Sequence, residues 1–305
     1  MKIIIADKKT SFTNKQISLL EEKGNVVFIE TNEEWNKSKE IFSEEEKVLA
    51  LAPEICDRTF PNDVIDKVPN LKGICLPTTR YSWIDGKYLR KKNIVLTNVP
   101  KYSTESVAEH AIFLMLSITK KLPLIISNGW ELDYDKHLGY QLKGKRMGII
   151  GLGDIGSSVA ELGAGIGMDV CYWSRRSKDS RYSYLDLEEL LKTSDYIFLT
   201  IVDSSETKEF MNKERINMMK KNSYIINTTG NDVWDFDYAV EKVKDESIGG
   251  IALDEDKVKV KDYGCNVMIT PHIAWYTKES FEEDYRIWVE CILSVVDNSP
   301  INVAN

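Results

Sequence analysis

No run of about eighteen apolar residues occurs in this 305-residue chain, so nothing in it reads as a membrane-spanning helix. Basic charge is short as well. Forty Lys and Arg face 48 Asp and Glu, a net charge of −8, and no nucleic-acid partner is expected. The opening MKIIIADKKT turns polar after Ala6, too soon for a secretory leader, and reads as a first buried strand. Cysteine is sparse: Cys56, Cys75, Cys171, Cys265 and Cys291 are odd in number, scattered and without a CxxC. That pattern fits thiols of a reducing, cytoplasmic compartment and gives no disulfide framework and no metal site. Repeats and low-complexity tracts are absent. What remains, 43% apolar and 29% charged residues, fits a soluble globular protein long enough for two domains.

The chain is organised around Met147–Ala160, MGIIGLGDIGSSVA. An apolar strand runs into Gly151-Leu-Gly153-Asp-Ile-Gly156, and a helix opens at Asp154 and Ile155. Gly151 allows the tight turn, Gly153 lets backbone amides approach a pyrophosphate, and Gly156 lets the helix pack on the sheet. The phosphates would sit on the free N–H groups and positive end of that helix. A GxGxxG gains meaning from this strand-to-helix setting. The alternative is a glycine-rich turn that binds nothing.

Alternation extends both ways from this turn. Upstream, Lys2–Ala6, Val26–Glu30, Val48–Ala52, Leu71–Leu76 and Ile94–Val99 read as strands, with helical spacing in Gln16–Lys23 and Asp63–Val68. Ser103–Leu122 reads as a helix capped at Ser103 or Thr104 and too apolar for one buried face. Residues 128–145 read as a loop. Downstream, six strands are expected: Arg146–Gly151, Val170–Trp173, Tyr196–Ile201, Ser223–Thr228, Gly249–Leu253 and Val267–Thr270. Helices Ile155–Ala164, Asp186–Thr193, Lys213–Lys221 and Phe236–Val243 separate the first five, and a long helix, Lys278–Val296, follows. The fold class is α/β, with two doubly wound parallel-sheet domains. One, flavodoxin-like, comprises residues 1–98 and 279–305; the other, a Rossmann domain for the dinucleotide, comprises 99–278.

Four stretches together carry a resemblance: NVPKYSTESVAEHAIFLML (Asn98–Leu116), GLGDIG (Gly151–Gly156), MMKKNSYIINTT (Met218–Thr229) and TPHIA (Thr270–Ala274). In them the chain resembles the D-isomer-specific 2-hydroxyacid dehydrogenase family. The resemblance implies a substrate domain closed by the C-terminal helix, an active site in the cleft, and a homodimer formed through the helix 103–122 region. It implies hydride transfer between a nicotinamide cofactor and a 2-oxo acid. His272 in TPHIA stands at the family's acid/base position. His110, in an apolar helix, is expected to be a packing residue, and His137, in a loop, to be solvated.

Two family residues are missing. The pattern I-N-T-x-R-G reads here Ile226-Asn227-Thr228-Thr229-Gly230-Asn231, with Gly230 where the carboxylate-binding Arg belongs. A guanidinium grips a carboxylate through two charge-assisted hydrogen bonds, and losing such a partner typically costs about 2–5 kcal/mol. The family's D-V-F-E reads Asp254-Glu255-Asp256-Lys257, so Lys257 stands where the His-orienting Glu belongs, with Glu255 or Asp256 as substitutes. Arg80, in the loop after the fourth strand, is a candidate to take over anion binding; the alternative is a surface Arg facing water. If the substrate carries no carboxylate, Gly230, Trp83, Tyr81 and Tyr102 would shape a different pocket.

By resemblance, cofactor contacts are expected at Gly151, Gly153, Asp154, Ile155, Gly156, Thr200, Val202, Thr207, Thr228, Thr229, Gly230, Asp254, His272 and Ala274. The second strand of this half ends Trp173-Ser174-Arg175-Arg176, with no acid for the ribose hydroxyls. Asp169 lies at its wrong end. A hydroxyl followed by two guanidiniums suits the 2′-phosphate of NADP, with NAD as the alternative. The function expected is an NAD(P)H-dependent reductase of a 2-oxo acid or related small carbonyl, with His272 as proton donor. The alternatives are a nucleotide-binding sensor that has lost catalysis, and a reductase of a non-carboxylate ketone or imine.

Overall fold

A computed structural model describes residues 1–255 and 257–305. The chain divides into two compact units: Met1–Ser103 with Lys278–Asn305, and Thr104–Thr277.

The first unit is a parallel sheet of β1 (Lys2–Ala6), β2 (Asn25–Phe28), β3 (Lys47–Leu51), β4 (Leu71–Cys75) and β5 (Val95–Thr97), in the order β2-β1-β3-β4-β5. Its helices are α1 (Asn14–Glu21), α2 (Asn32–Lys37), α3 (Asn62–Ile65) and α4 (Gly86–Lys91). Burial on both faces explains why the central strands are apolar throughout: Ile3, Ile4, Ile5, Val48, Leu49 and Ala50 are wholly inaccessible. Thr13 starts α1 with a capping box, its hydroxyl accepting from Gln16 N while the Gln16 side chain accepts from Thr13 N. The last helix of the chain, Lys278–Val296, belongs to this unit. Trp288, Val289, Ile292 and Val295 enter its core, and Trp288 Nε1 donates to Cys75 O at 3.0 Å. Beyond it, the Asn305 side chain bonds Leu96 N on β5 and Ile94 O just before that strand.

The second unit contains α5 (Thr104–Thr119), α6 (Leu122–Ser127), β6 (Arg146–Ile150), α7 (Asp154–Gly165), β7 (Asp169–Trp173), β8 (Ser183–Tyr184), α8 (Leu187–Thr193), β9 (Tyr196–Leu199), α9 (Lys213–Asn217), β10 (Tyr224–Asn227), α10 (Phe236–Lys244), β11 (Gly250–Asp254) and β12 (Val267–Thr270). The helix Lys278–Val296 is therefore α11. The strands form one parallel sheet in the order β12-β11-β10-β9-β6-β7-β8, the doubly wound arrangement, which reverses direction beside β6.

Three expectations need correction. The sheet has seven strands, not six: Ser183–Tyr184 adds a two-residue edge whose exposed side chains give no hydrophobic signal. The helix expected over 103–122 ends at Thr119, because Lys121 turns into the left-handed region at φ +57°. A new turn of helix starts at Leu122 with Pro at its beginning, where a missing N–H costs nothing. His137 is buried rather than solvated, because its Nδ1 accepts from Asp133 N at 3.0 Å and folds the ring onto its own loop.

Candidate active site

Because all seven strands are parallel, every loop leaving a strand's carboxyl end emerges on one edge of the sheet. That edge gathers Gly151 after β6, Ser174 after β7, Thr200 after β9, Thr228 after β10, Asp254 at the end of β11 and His272 after β12. The sequence had scattered them over some 120 positions; the fold aligns them on one side. The β6 turn sits where the strand order reverses, the place at which such sheets bind dinucleotides.

The three glycines of that turn differ physically. Gly151 has φ +103°, and a Cβ there would lie 2.8 Å from Ile201 Cγ2 and 2.9 Å from Ile201 N. Gly156 is tighter: its Cβ would be 2.0 Å from Gly151 O and 2.8 Å from Thr200 Oγ1. Gly153 meets nothing within 4 Å. It stands at the N-cap of α7 and leaves an open cradle in front of the first amides of the helix, which fits a pyrophosphate. Gly156→Ala is therefore expected to lower the melting temperature by several degrees, whereas Gly153→Ala leaves folding intact and weakens dinucleotide binding. Thermal melting with and without NADPH checks both, and equal behaviour of the two variants would contradict the assignment.

The other expected cofactor residues are more varied. Thr200 Oγ1 donates to Gly151 O at 2.6 Å, so its hydroxyl braces the glycine turn. Thr207 is buried, with its hydroxyl donating to Val202 O at 2.5 Å and accepting from Ser204 N at 2.9 Å; it shapes the loop that exposes Val202. Asp154 is exposed and Ile155 half-buried at the start of α7. Thr229 Oγ1 donates to Leu199 O, while Thr228 is half-buried at the sheet edge. Ser174 Oγ accepts from Ser177 N at 3.2 Å, Arg175 Nη1 pairs with Glu206 Oε2 at 3.2 Å, and Arg176 is exposed.

Asp254 is the hub of the edge. Its buried carboxylate accepts from Thr270 Oγ1 at 2.7 Å, from Ile273 N at 2.8 Å and from Ala274 N at 2.9 Å. These bonds hold the loop on which His272 adopts φ +51°, a conformation that costs energy in a non-glycine residue and persists only when its surroundings impose it. His272 is half exposed, and its Nδ1 lies 3.7 Å from Asp254 Oδ2. His110 Nε2 lies 2.9 Å from Thr270 Oγ1 and 3.6 Å from Asp254 Oδ1. Burial pushes the His110 imidazole below its ordinary range, with the Asp254 charge opposing. His110, expected as a packing residue, also buttresses the Thr270–Asp254 pair. Adjacent ends of β11 and β12, where Asp254 pairs with Thr270 in register, were the signal available.

Glu255, expected as a possible partner of His272, is engaged elsewhere. Its carboxylate is buried and accepts from Asn231 N at 3.0 Å and Lys257 N at 3.1 Å. Lys257 is exposed, and Asp256 lies outside the described residues. The acid beside His272 is Asp254. At Gly230, whose carbonyl accepts from Asn227 Nδ2, a Cβ would fall 2.5 Å from Asp203 Oδ2. The Asp203 carboxylate thus borders Gly230. In the first unit Arg80 is exposed, its carbonyl accepting from Thr78 Oγ1. Tyr81 and Trp83 line a cavity of about 750 Å³ with Phe60, Asp85 and Arg90.

A doubly wound sheet with a glycine turn at its reversal, and an acid-anchored His at the end of its last strand, defines a nicotinamide-dinucleotide oxidoreductase fold. The comparisons give the family. The profile described as "D-isomer specific 2-hydroxyacid dehydrogenase, NAD binding domain" matches residues 112–274. A glyoxylate reductase of Thermococcus litoralis is 31% identical over 259 residues, covering 77% of each chain, and one of Thermofilum pendens is 29% identical over 302 residues, covering 92% of this chain and 88% of that one. Among solved structures, an acyclic imino acid reductase in complex with NADPH and D-Arg is 27% identical, with a TM-score of 0.82 over 100% of both chains. The D-lactate dehydrogenase of Aquifex aeolicus, complexed with NAD and lactic acid, is 28% identical, with a TM-score of 0.74 over 98% of this chain and 96% of that one. This chain belongs to the D-isomer specific 2-hydroxyacid dehydrogenase family and is an NAD(P)-dependent oxidoreductase.

Proposed function

We propose that the protein uses NADPH to reduce a small 2-oxo acid or the imine derived from one, with His272 as proton donor. The observation that carries this reading is the His272 loop, held by Asp254 on the edge that also bears the glycine turn. When bound, the dinucleotide supplies the hydride; Gly151, Gly153 and Gly156 with the α7 amides would hold its pyrophosphate. The Asp254 carboxylate 3.7 Å from Nδ1 orients the ring so that Nε2 is the atom that delivers the proton. Asp254 thereby assumes the orienting work of the absent Glu. Arg80 is proposed to supply the anion-binding group that Gly230 cannot. The glyoxylate reductases and the imino acid reductase among the relatives support both substrate types.

The absence of an acid after Trp173, with Arg175 and Arg176 following Ser174, favours NADPH. Replacing both arginines by alanine is expected to raise KM for NADPH about tenfold or more while changing that for NADH little, as loss of charge-assisted phosphate contacts predicts. Parallel KM measurements check this, and a wild-type preference for NADH would contradict it. The exposed apolar residues Phe113, Leu116, Trp130 and Leu132 support a homodimer through the helix 103–122 region, and the five free thiols support a cytoplasmic setting.

The second reading, a dinucleotide sensor without catalysis, draws support from Gly230, Asp203 and Lys257. A panel of 2-oxo acids, with and without ammonia, and of simple ketones separates the readings. Oxidation of NADPH supports the reductase; tight NADPH binding with no turnover supports the sensor.

A further inference from the structure

The first unit has its own reversal of strand order, between β1 and β3. Open parallel sheets bind ligands outside the carboxyl ends of the strands at such a point. Here those ends carry acids. Ala6 and Leu51 are register partners; Asp7 follows the one and Glu54 lies three residues beyond the other. Helix α11, packed against this sheet, adds Asp284.

Two of the three acids are buried, Asp7 at 8% exposure and Asp284 at 5%. Asp7 is satisfied in part, by Lys8 N at 2.6 Å and Tyr285 Oη at 2.5 Å. Asp284 is not: its Oδ1 is buried with no hydrogen-bond partner. Among the described residues no Lys, Arg or His nitrogen pairs with either carboxylate. Lys8, exposed and next to Asp7, offsets part of its charge, and Glu54 reaches Arg58 only at 3.7 Å across the surface. Aromatic rings pack alongside, with Phe12 edge-on to Tyr285 at 5.0 Å and Tyr285 to Trp288 at 5.7 Å. No group of the described His, Cys, Asp and Glu residues is spaced to hold a metal ion.

A buried acid without a partner is costly and calls for a reason. We propose that the β1/β3 reversal is a binding site for an organic cation, an ammonium or guanidinium group taken by Asp284 and Asp7 with Glu54 at its rim. Carboxylates supply the charge complement and the rings an apolar wall suited to an alkyl stem. The electrostatics agree. Burial and the charges of Asp7 and Glu54 push Asp284 up to about 8, and Asp7 is raised by its burial and by Glu54. Burial also raises the hydroxyls of Tyr102 and Tyr285, with Asp284 adding to both. A bound cation opposes the charge contributions to these shifts.

The probe is agmatine, a guanidinium and ammonium with no carboxylate, titrated calorimetrically into the full-length protein, with butylurea as the uncharged control. Agmatine is expected to bind and butylurea not. Asp284→Asn is expected to weaken binding at least about tenfold, and Glu54→Gln about two- to threefold. Affinity falls from about pH 9 to about pH 6 as Asp284 takes up its proton. Glu54 is exposed, so its variant tests the site without risk to the core. No agmatine heat, or equal heats in wild type and a normally melting Asp284→Asn, would overturn the proposal.

The cation could be part of the substrate or a separate amine effector, and only the first rests on the reductase reading. Turnover of 5-guanidino-2-oxopentanoate against 2-oxohexanoate separates them. A preference for the guanidino acid that shrinks in Glu54→Gln marks the substrate. Equal turnover, with agmatine altering the rate, marks the effector. Absence of all turnover sinks the reductase reading and leaves the agmatine result standing.

Discussion

Replacing His272 by Asn lowers kcat by about 10²–10⁴-fold, the usual contribution of a positioned general acid, and leaves NADPH binding nearly unchanged. Asn is the informative substitution because position 272 has φ +51°, a region that Asn tolerates better than most residues. The loop then keeps its Asp254 bonds, which come from the amides of Ile273 and Ala274 and not from the imidazole. What disappears is the proton donor. Steady-state kinetics with NADPH and the best 2-oxo acid, beside a calorimetric titration of NADPH, make the check. A kcat within about twofold of wild type would mean that the proton comes from elsewhere. Loss of NADPH binding would mean that His272 is structural.

The second large effect concerns stability. Asp284 titrates near 3.8 when unfolded and is pushed up to about 8 when folded. The folded chain therefore holds a proton that the unfolded chain has released, throughout the window between those values. Its contribution to stability is fully present below about pH 4, declines as pH rises, and is lost through about pH 8. The gap corresponds to an upper bound of about 6 kcal/mol. Asp284→Asn removes the ionisation and keeps the shape. The variant is expected to melt at a similar temperature to wild type near pH 4 and several degrees higher at about pH 8 to 9. An offset independent of pH, or a variant less stable at high pH, would contradict this. Tolerance of so costly an acid is what a cation site at the β1/β3 reversal would require.

Much of the scaffold was legible because buried parallel strands write themselves as apolar runs. Lys2–Ala6 and Val267–Thr270 match their strands residue for residue, and Lys278–Val296 matches its helix. Elements without that signature were missed. Ser183–Tyr184 is two exposed residues paired to an edge, and α2, α4 and α6 are six residues each, too short for a periodic pattern. In the site, the glycine turn was readable because its spacing is a local backbone requirement. The role of Asp254 was not, because it depends on β11 and β12 lying side by side with Asp254 opposite Thr270. The burial of His137 was not legible for a local reason: the bond from Asp133 N that holds it is a fact of one loop's geometry. Asp203 beside Gly230 joins residues 27 positions apart and could not be seen without the fold.

The most direct test is a single-turnover experiment. The wild-type protein is preloaded with NADPH, mixed with the oxo acid and imine panel, and followed by nicotinamide absorbance, with His272→Asn alongside. A reductase that protonates its substrate through this imidazole gives a fast absorbance loss in wild type and a rate about 10²-fold or more lower in the variant. Preloaded protein that never oxidises its NADPH, or two identical traces, would contradict it.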